Sequence, residues 1–258
     1  MARHVIVTFI VGAACGAVMY RYKSELVHLI NQRACYSERL TITPSAGERL
    51  RRQFDHKTVR VVEETFSTCG LVAISTVIAQ DTVEDVAFHA GMMIGPLLES
   101  RLRVREASAS PYSALPEAIK NEIFLASGEG FRERSSGRLD LLLPHSMPFN
   151  DTNLVTNAFI TPSLRALFGS TFELKSSHAI SSLPGSAAQH WHRDDEPIWT
   201  ETRAYAVNVF VSLGYVSLDA GPTEFLPGTH LMADVAVQEI MAKGFKPVAF
   251  EWPPGMCS

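Results

Sequence analysis

The stretch Ala206–Leu213, AVNVFVSL, alternates with a period of two and so admits one regular structure. Val207, Val209, Val211 and Leu213 fall on one face, and Asn208, Phe210 and Ser212 on the other. A helix would instead repeat its apolar positions at three and four residues. The aliphatic face of such a strand must be packed, while the mixed polar and aromatic face is suited to lining a cavity. A lone strand is not stable, so neighbouring strands and a second layer are required. Residues that follow supply them: GPTEFLPGTH, 221–230, reads as turn, short strand and turn, and KPVAFEW, 246–252, as a strand ended by Pro253 and Pro254. The fold class expected is α+β, with a double-stranded β-helix (jelly-roll or cupin-like) core and helices packed outside it.

Upstream, β-branched residues around Gly70 predict a short strand near Leu71–Ser75. Residues 81–103 then predict an amphipathic helix, with Asp81 as N-cap, Glu84 three positions later, and Val83, Val86, Ala87, Ala90 and Ile94 as the apolar stripe. His89 lies beside that stripe and reads as a partly buried structural histidine. Ala107–Ala118, ASASPYSALPEA, is the clearest loop. With 46% hydrophobic and 19% charged residues the bulk of the 258-residue chain should fold. A net charge of −4 without any block of Lys or Arg argues against a nucleic-acid partner. The cysteines at 15, 35, 69 and 257 contain no C-x-x-C pair, which indicates neither a zinc knuckle nor a disulfide framework.

Val5–Tyr20 carries no charge and is flanked by Arg3, Arg21 and Lys23. As an apolar helix this run is short for a bilayer span, which takes about 20 residues with a lower limit near 17. Three readings stay open: a single-pass membrane anchor, the core of a cleaved signal peptide, or a buried helix. The first two place the protein at a membrane, in the secretory pathway or endoplasmic reticulum. The organisation expected is a membrane anchor or signal segment over 1–22, a linker over 23–58 and a catalytic-type domain over 59–258.

QHWHRDDEPIW, residues 189–199, concentrates metal-binding side chains. In extended backbone His190, His192 and Asp194 share one face, and Trp191 and Arg193 the other. Same-face neighbours are about 7 Å apart along a strand, close enough to converge on one ion with bonds of about 2.1 Å. The compatible pairs are His192 with Asp194, or His190 with His192. A His-x-Asp pair supplies two of the three ligands of the facial triad that holds non-haem Fe(II).

The three segments LPGSAAQHWHRD, AVNVFVSL and GPTEFLPGTH occur in the order and close to the spacing seen in the phytanoyl-CoA dioxygenase family, which this sequence resembles over roughly residues 60–255. GRLDLLLP, residues 137–144, resembles the amino-terminal half of that family's domain. The resemblance implies an Fe(II)- and 2-oxoglutarate-dependent dioxygenase that hydroxylates a C–H bond of a small or lipophilic metabolite, with O2 as co-reactant. It implies His192 and Asp194 as metal ligands and Phe210 as an aromatic beside 2-oxoglutarate. It also implies a distal histidine and an arginine from later strands, whereas residues 231–258 contain neither. The sequence therefore reads as C-terminally incomplete relative to that family. His190 and His230 are the histidines that could stand in. Two other functions remain open, a catalytically inactive, membrane-tethered binding protein and a cupin-like binding module.

Overall fold

The computed structural model describes residues 3–11, 35, 37–107, 131–135, 137–192, 194, 206–230, 232, 237–242 and 244–257. In chain order the strands are β1 (Arg3–Val11), β2 (Thr41–Ile42), β3 (Ala73–Ile74), β4 (Phe131–Ser135), β5 (Arg138–Leu142), β6 (Phe172–Ser182), β7 (Ala206–Ser212), β8 (Glu224–Phe225) and β9 (Val248–Ala249). The α-helices are α1 (Ser37–Leu40), α2 (Ala46–Arg51), α3 (His56–Cys69), α4 (Gln80–Ala107), α5 (Thr152–Val155), α6 (Ile160–Phe168) and α7 (Val237–Ala242).

A mixed five-stranded sheet runs β4-β5-β6-β1-β7, and two ribbons pair β2 with β3 and β8 with β9. Alternation sorts the sheet's side chains into two layers. Leu139, Leu141 and Leu143, Ala179, and Val207, Val209 and Val211 enter one buried cluster with Val83, Val86, Ala90 and Ile94 of α4 and Ile160, Leu164 and Phe168 of α6. The predicted aliphatic face of β7 and stripe of α4 are both found there. Arg138, Asp140, His178, Asn208 and Phe210 occupy the opposite face, since residues paired across strands share a side. Phe210 joins a second cluster in edge-to-face contact with Phe225, and Phe225, Phe250 and Trp252 continue the aromatic row.

Local chemistry sets the ends of the amino-terminal helices. Ser45 and Glu48 form a reciprocal capping box at α2. The second carboxylate oxygen of Glu48 accepts the Asp55 N–H at 3.0 Å, so one buried carboxylate ties α2 to the start of α3. Asp55 caps α3 through the Thr58 N–H at 2.8 Å, and Gly70 ends it at a φ of 74°.

Several expectations are corrected. The apolar amino terminus is not helical over residues 5–11. It forms β1, parallel to both β6 and β7. A central parallel strand reads as an unbroken apolar run, so periodicity cannot separate it from a helix, and the β-branched Val5, Ile6, Val7, Thr8, Ile10 and Val11 favour the strand. Residues 12–34, with the rest of that run, lie outside the described residues, as do 108–130, most of the expected loop. Among the described residues no helix is long and apolar enough to cross a membrane. The strands described form open sheets rather than a closed jelly roll. Cys35 and Cys69, both buried, are joined in a disulfide with Cα atoms 5.7 Å apart, a link between distant positions that no spacing motif announces. Asp81 lies inside the first turn of α4 rather than before it, and His89 is exposed, hydrogen-bonded to the Asp85 carbonyl one turn back.

Candidate metal centre and cleft

Residues 189–192 follow β6 without strand pairing of their own, so side chains rather than a ladder hold them in place. Trp191 packs partly against Leu226, Met232, Phe245 and the fully buried Ile240 of α7. Gln189 is fixed at the other end, where its Oε1 accepts from the buried Arg138 guanidinium at 2.8 Å. Between these anchors His190 and His192 line a cleft of about 1000 Å³ that also reaches Arg138, Leu183, Asp219 and Glu224.

His192 and Asp194 are brought together as the His-x-Asp spacing requires. The Nδ1 of His192 lies 2.7 Å from the carbonyl oxygen of His190. A carbonyl only accepts, so Nδ1 carries the hydrogen, and in the neutral ring Nε2 presents its lone pair. That lone pair faces Oδ1 of Asp194 at 3.4 Å. Two acceptors held face to face need a cation between them or a proton on the ring. The other carboxylate oxygen, Oδ2, accepts a hydrogen bond from the Asn208 side-chain amide of β7. Donors with N and O character about 3.4 Å apart can both reach one ion at about 2.1 Å, and each is held from behind by a hydrogen bond, as metal ligands are. The pair fits a divalent first-row metal as two of the ligands such an ion takes. Among the described residues no cluster of three or more His, Cys, Asp or Glu side chains surrounds it.

The two histidines that could stand in do not join this pair. His190 gives its carbonyl to His192 and lines the cleft. His230 turns toward α3, where its Nε2 donates to the Ser67 carbonyl at 3.1 Å and its ring packs on Gly70. The adjoining Gly228 N–H donates to the Cys69 carbonyl at 2.7 Å, so the Pro-Gly-Thr-His turn is a structural dock on the end of α3. Phe210 is buried in the aromatic row and is not among the residues lining the cleft.

Residues 144–255 match the model of the phytanoyl-CoA dioxygenase (PhyH) family. Over these residues the chain is similar to that family. PhyH proteins are oxygenases that depend in general on Fe(II) and 2-oxoglutarate and act on small molecules with O2. The PhyH match covers β6, the His-x-Asp segment, β7 and the Pro-Gly-Thr-His turn. No curated protein matches the chain.

Sequence reasoning missed three residues of this PhyH region and its flank. Asn208 is visible as a polar residue on the cavity face of an otherwise apolar strand, but its partner is not. Arg138 and Asp140 sit in GRLDLLLP, where their alternation with leucines is legible. The contact of Arg138 with Gln189, and the 2.8 Å hydrogen bond between Asp140 and His178, depend on strand register.

Proposed function

We propose that this protein is an Fe(II)- and 2-oxoglutarate-dependent hydroxylase in which His192 and Asp194 hold the metal. The observation that carries this reading is the fixed tautomer of His192, with Nε2 directed at Asp194. When bound, Fe(II) with 2-oxoglutarate supplies the O2-dependent oxidation of a C–H bond. The chain's own part is to bind and orient. His190 fixes the imidazole tautomer through its carbonyl, and Trp191 keeps the segment seated against α7. Arg138 lines the same cleft and, buried as it is, offers a positive charge in a setting of reduced solvent screening, suited to the carboxylate of 2-oxoglutarate. Phe210 stands behind this face in the aromatic row and would act by packing.

The reaction balances as substrate C–H, 2-oxoglutarate and O2 giving substrate C–OH, succinate and CO2. The cleft wall, with Arg138, Asp219, Glu224, Trp191 and many small residues, supports a small polar substrate better than a long acyl chain. The buried Cys35–Cys69 disulfide supports synthesis in an oxidising compartment, in keeping with a secretory location.

The test is succinate formation by the full chain supplied with Fe(II), 2-oxoglutarate and O2. Turnover that is lost in His192→Ala and in Asp194→Ala supports the assignment. Turnover unchanged by both substitutions removes it, and so does an inactive wild-type chain that fails to bind 2-oxoglutarate in the presence of Fe(II).

A further inference from the structure

Asp194 sits in a bend, outside any strand, so its backbone fixes the carboxylate poorly. Asn208 is the reverse case. It lies in the middle of β7, paired with Ile6 of β1, and its neighbours Val207 and Val209 are both buried in the main core. Its amide donates to Oδ2 of Asp194 and leaves Oδ1 turned to His192. A primary amide is chemically suited to this task, because its NH2 donates to a carboxylate at any working pH without bringing a charge of its own.

We propose that Asn208 is a positioning residue that transfers the rigidity of the sheet to Asp194. It holds Oδ2 back so that Oδ1 alone is offered as a one-oxygen ligand, which sets the site's affinity for a divalent first-row metal. The idea rests on the metal reading above and concerns how the ligand is held. Second partners of this kind alter metal affinity by about 10–100-fold when removed.

The experiment is Co(II) titration of the full chain under anaerobic conditions, followed by calorimetry and by the visible ligand-field band, with wild type, His192→Ala, Asn208→Ala and Asn208→Leu. The leucine variant keeps the side-chain volume and removes the donor, so it tests the role if the alanine variant folds poorly. The result expected is tight binding by wild type, its loss in His192→Ala, and affinity lowered about 10–100-fold in both Asn208 variants, with a shifted Co(II) band and an unchanged metal-free melting temperature. Wild-type affinity and an unshifted band in Asn208→Leu would overturn the role of Asn208 while leaving the metal centre standing. Equal Co(II) binding by wild type and His192→Ala would overturn both.

Discussion

His230 donates from Nε2 to the carbonyl oxygen of Ser67, 3.1 Å away, and so fastens the turn at 227–230 to the last turn of α3. Its Nδ1 is enclosed without a hydrogen-bond partner, a cost accepted only while the ring stays neutral.

Burial therefore lowers the His230 pKa from 6.5 to about 4, although the Ser67 carbonyl opposes the shift. The unfolded chain takes up its proton first, so stability is full above pH 6.5 and is lost as pH falls through 6.5 toward 4. Urea unfolding followed across this range should show that loss. His230→Asn should flatten the curve there while lowering stability at pH 7.

Gly70 is held at a φ of 74°, and a Cβ built on it would stand 2.5 Å from Cβ of His230. Gly70→Ala should therefore combine backbone strain of about 1 kcal/mol with displacement of the docked turn. Gly221→Ala is the control, because Gly221 has a φ of 70° in the same left-handed region but open space around it. Chemical denaturation should find Gly70→Ala clearly the more destabilised of the two.

At Glu48, burial raises the carboxyl pKa, but hydrogen bonds from Ser45, Thr58 and the Asp55 and Ser45 backbones outweigh it and hold the group at about 2. This is a depressed carboxylate, whose contribution is complete above pH 4.5 and disappears as pH falls toward 2. Glu48→Gln should remove that portion of acid sensitivity, and melting temperatures recorded between pH 5 and 2 should separate it from the His230 transition at higher pH.

Cleaving the Cys35–Cys69 disulfide frees a loop with a sequence separation of 34. On chain-entropy grounds this costs about 3–4 kcal/mol. Melting with and without dithiothreitol should reveal the loss, and the double variant Cys35→Ser, Cys69→Ser should not respond to reductant.

The C-terminal strands were legible because their periodicity is local: Val207 to Leu213 alternate as a strand must, and Glu224–Phe225 falls between two turn signals. His192 and Asp194 are close in the chain as well, so their approach to 3.4 Å is a local matter that the spacing alone suggests. What escaped the sequence depends on contacts between distant segments. Val5–Val11 is apolar but for Thr8, and a strand paired on both sides in parallel leaves little polar phase by which to recognise it. Asn208 behind Asp194, Asp140 beside His178 and Cys35 on Cys69 likewise join positions whose meeting depends on the completed sheet and its packing.

The placement of β1 governs how the molecule is made. An interior strand of the large sheet, the fourth of five, comes from the first described residues, while both strands flanking it come from residues 172–182 and 206–212. Chain synthesis delivers β1 early and its neighbours late, so both hydrogen-bonding edges of β1 stay open until a very long loop has closed. Such non-local pairing makes for slow assembly and a prolonged interval of aggregation risk. Yield during expression should therefore depend on temperature and chaperone supply more steeply than the stability of the finished protein does.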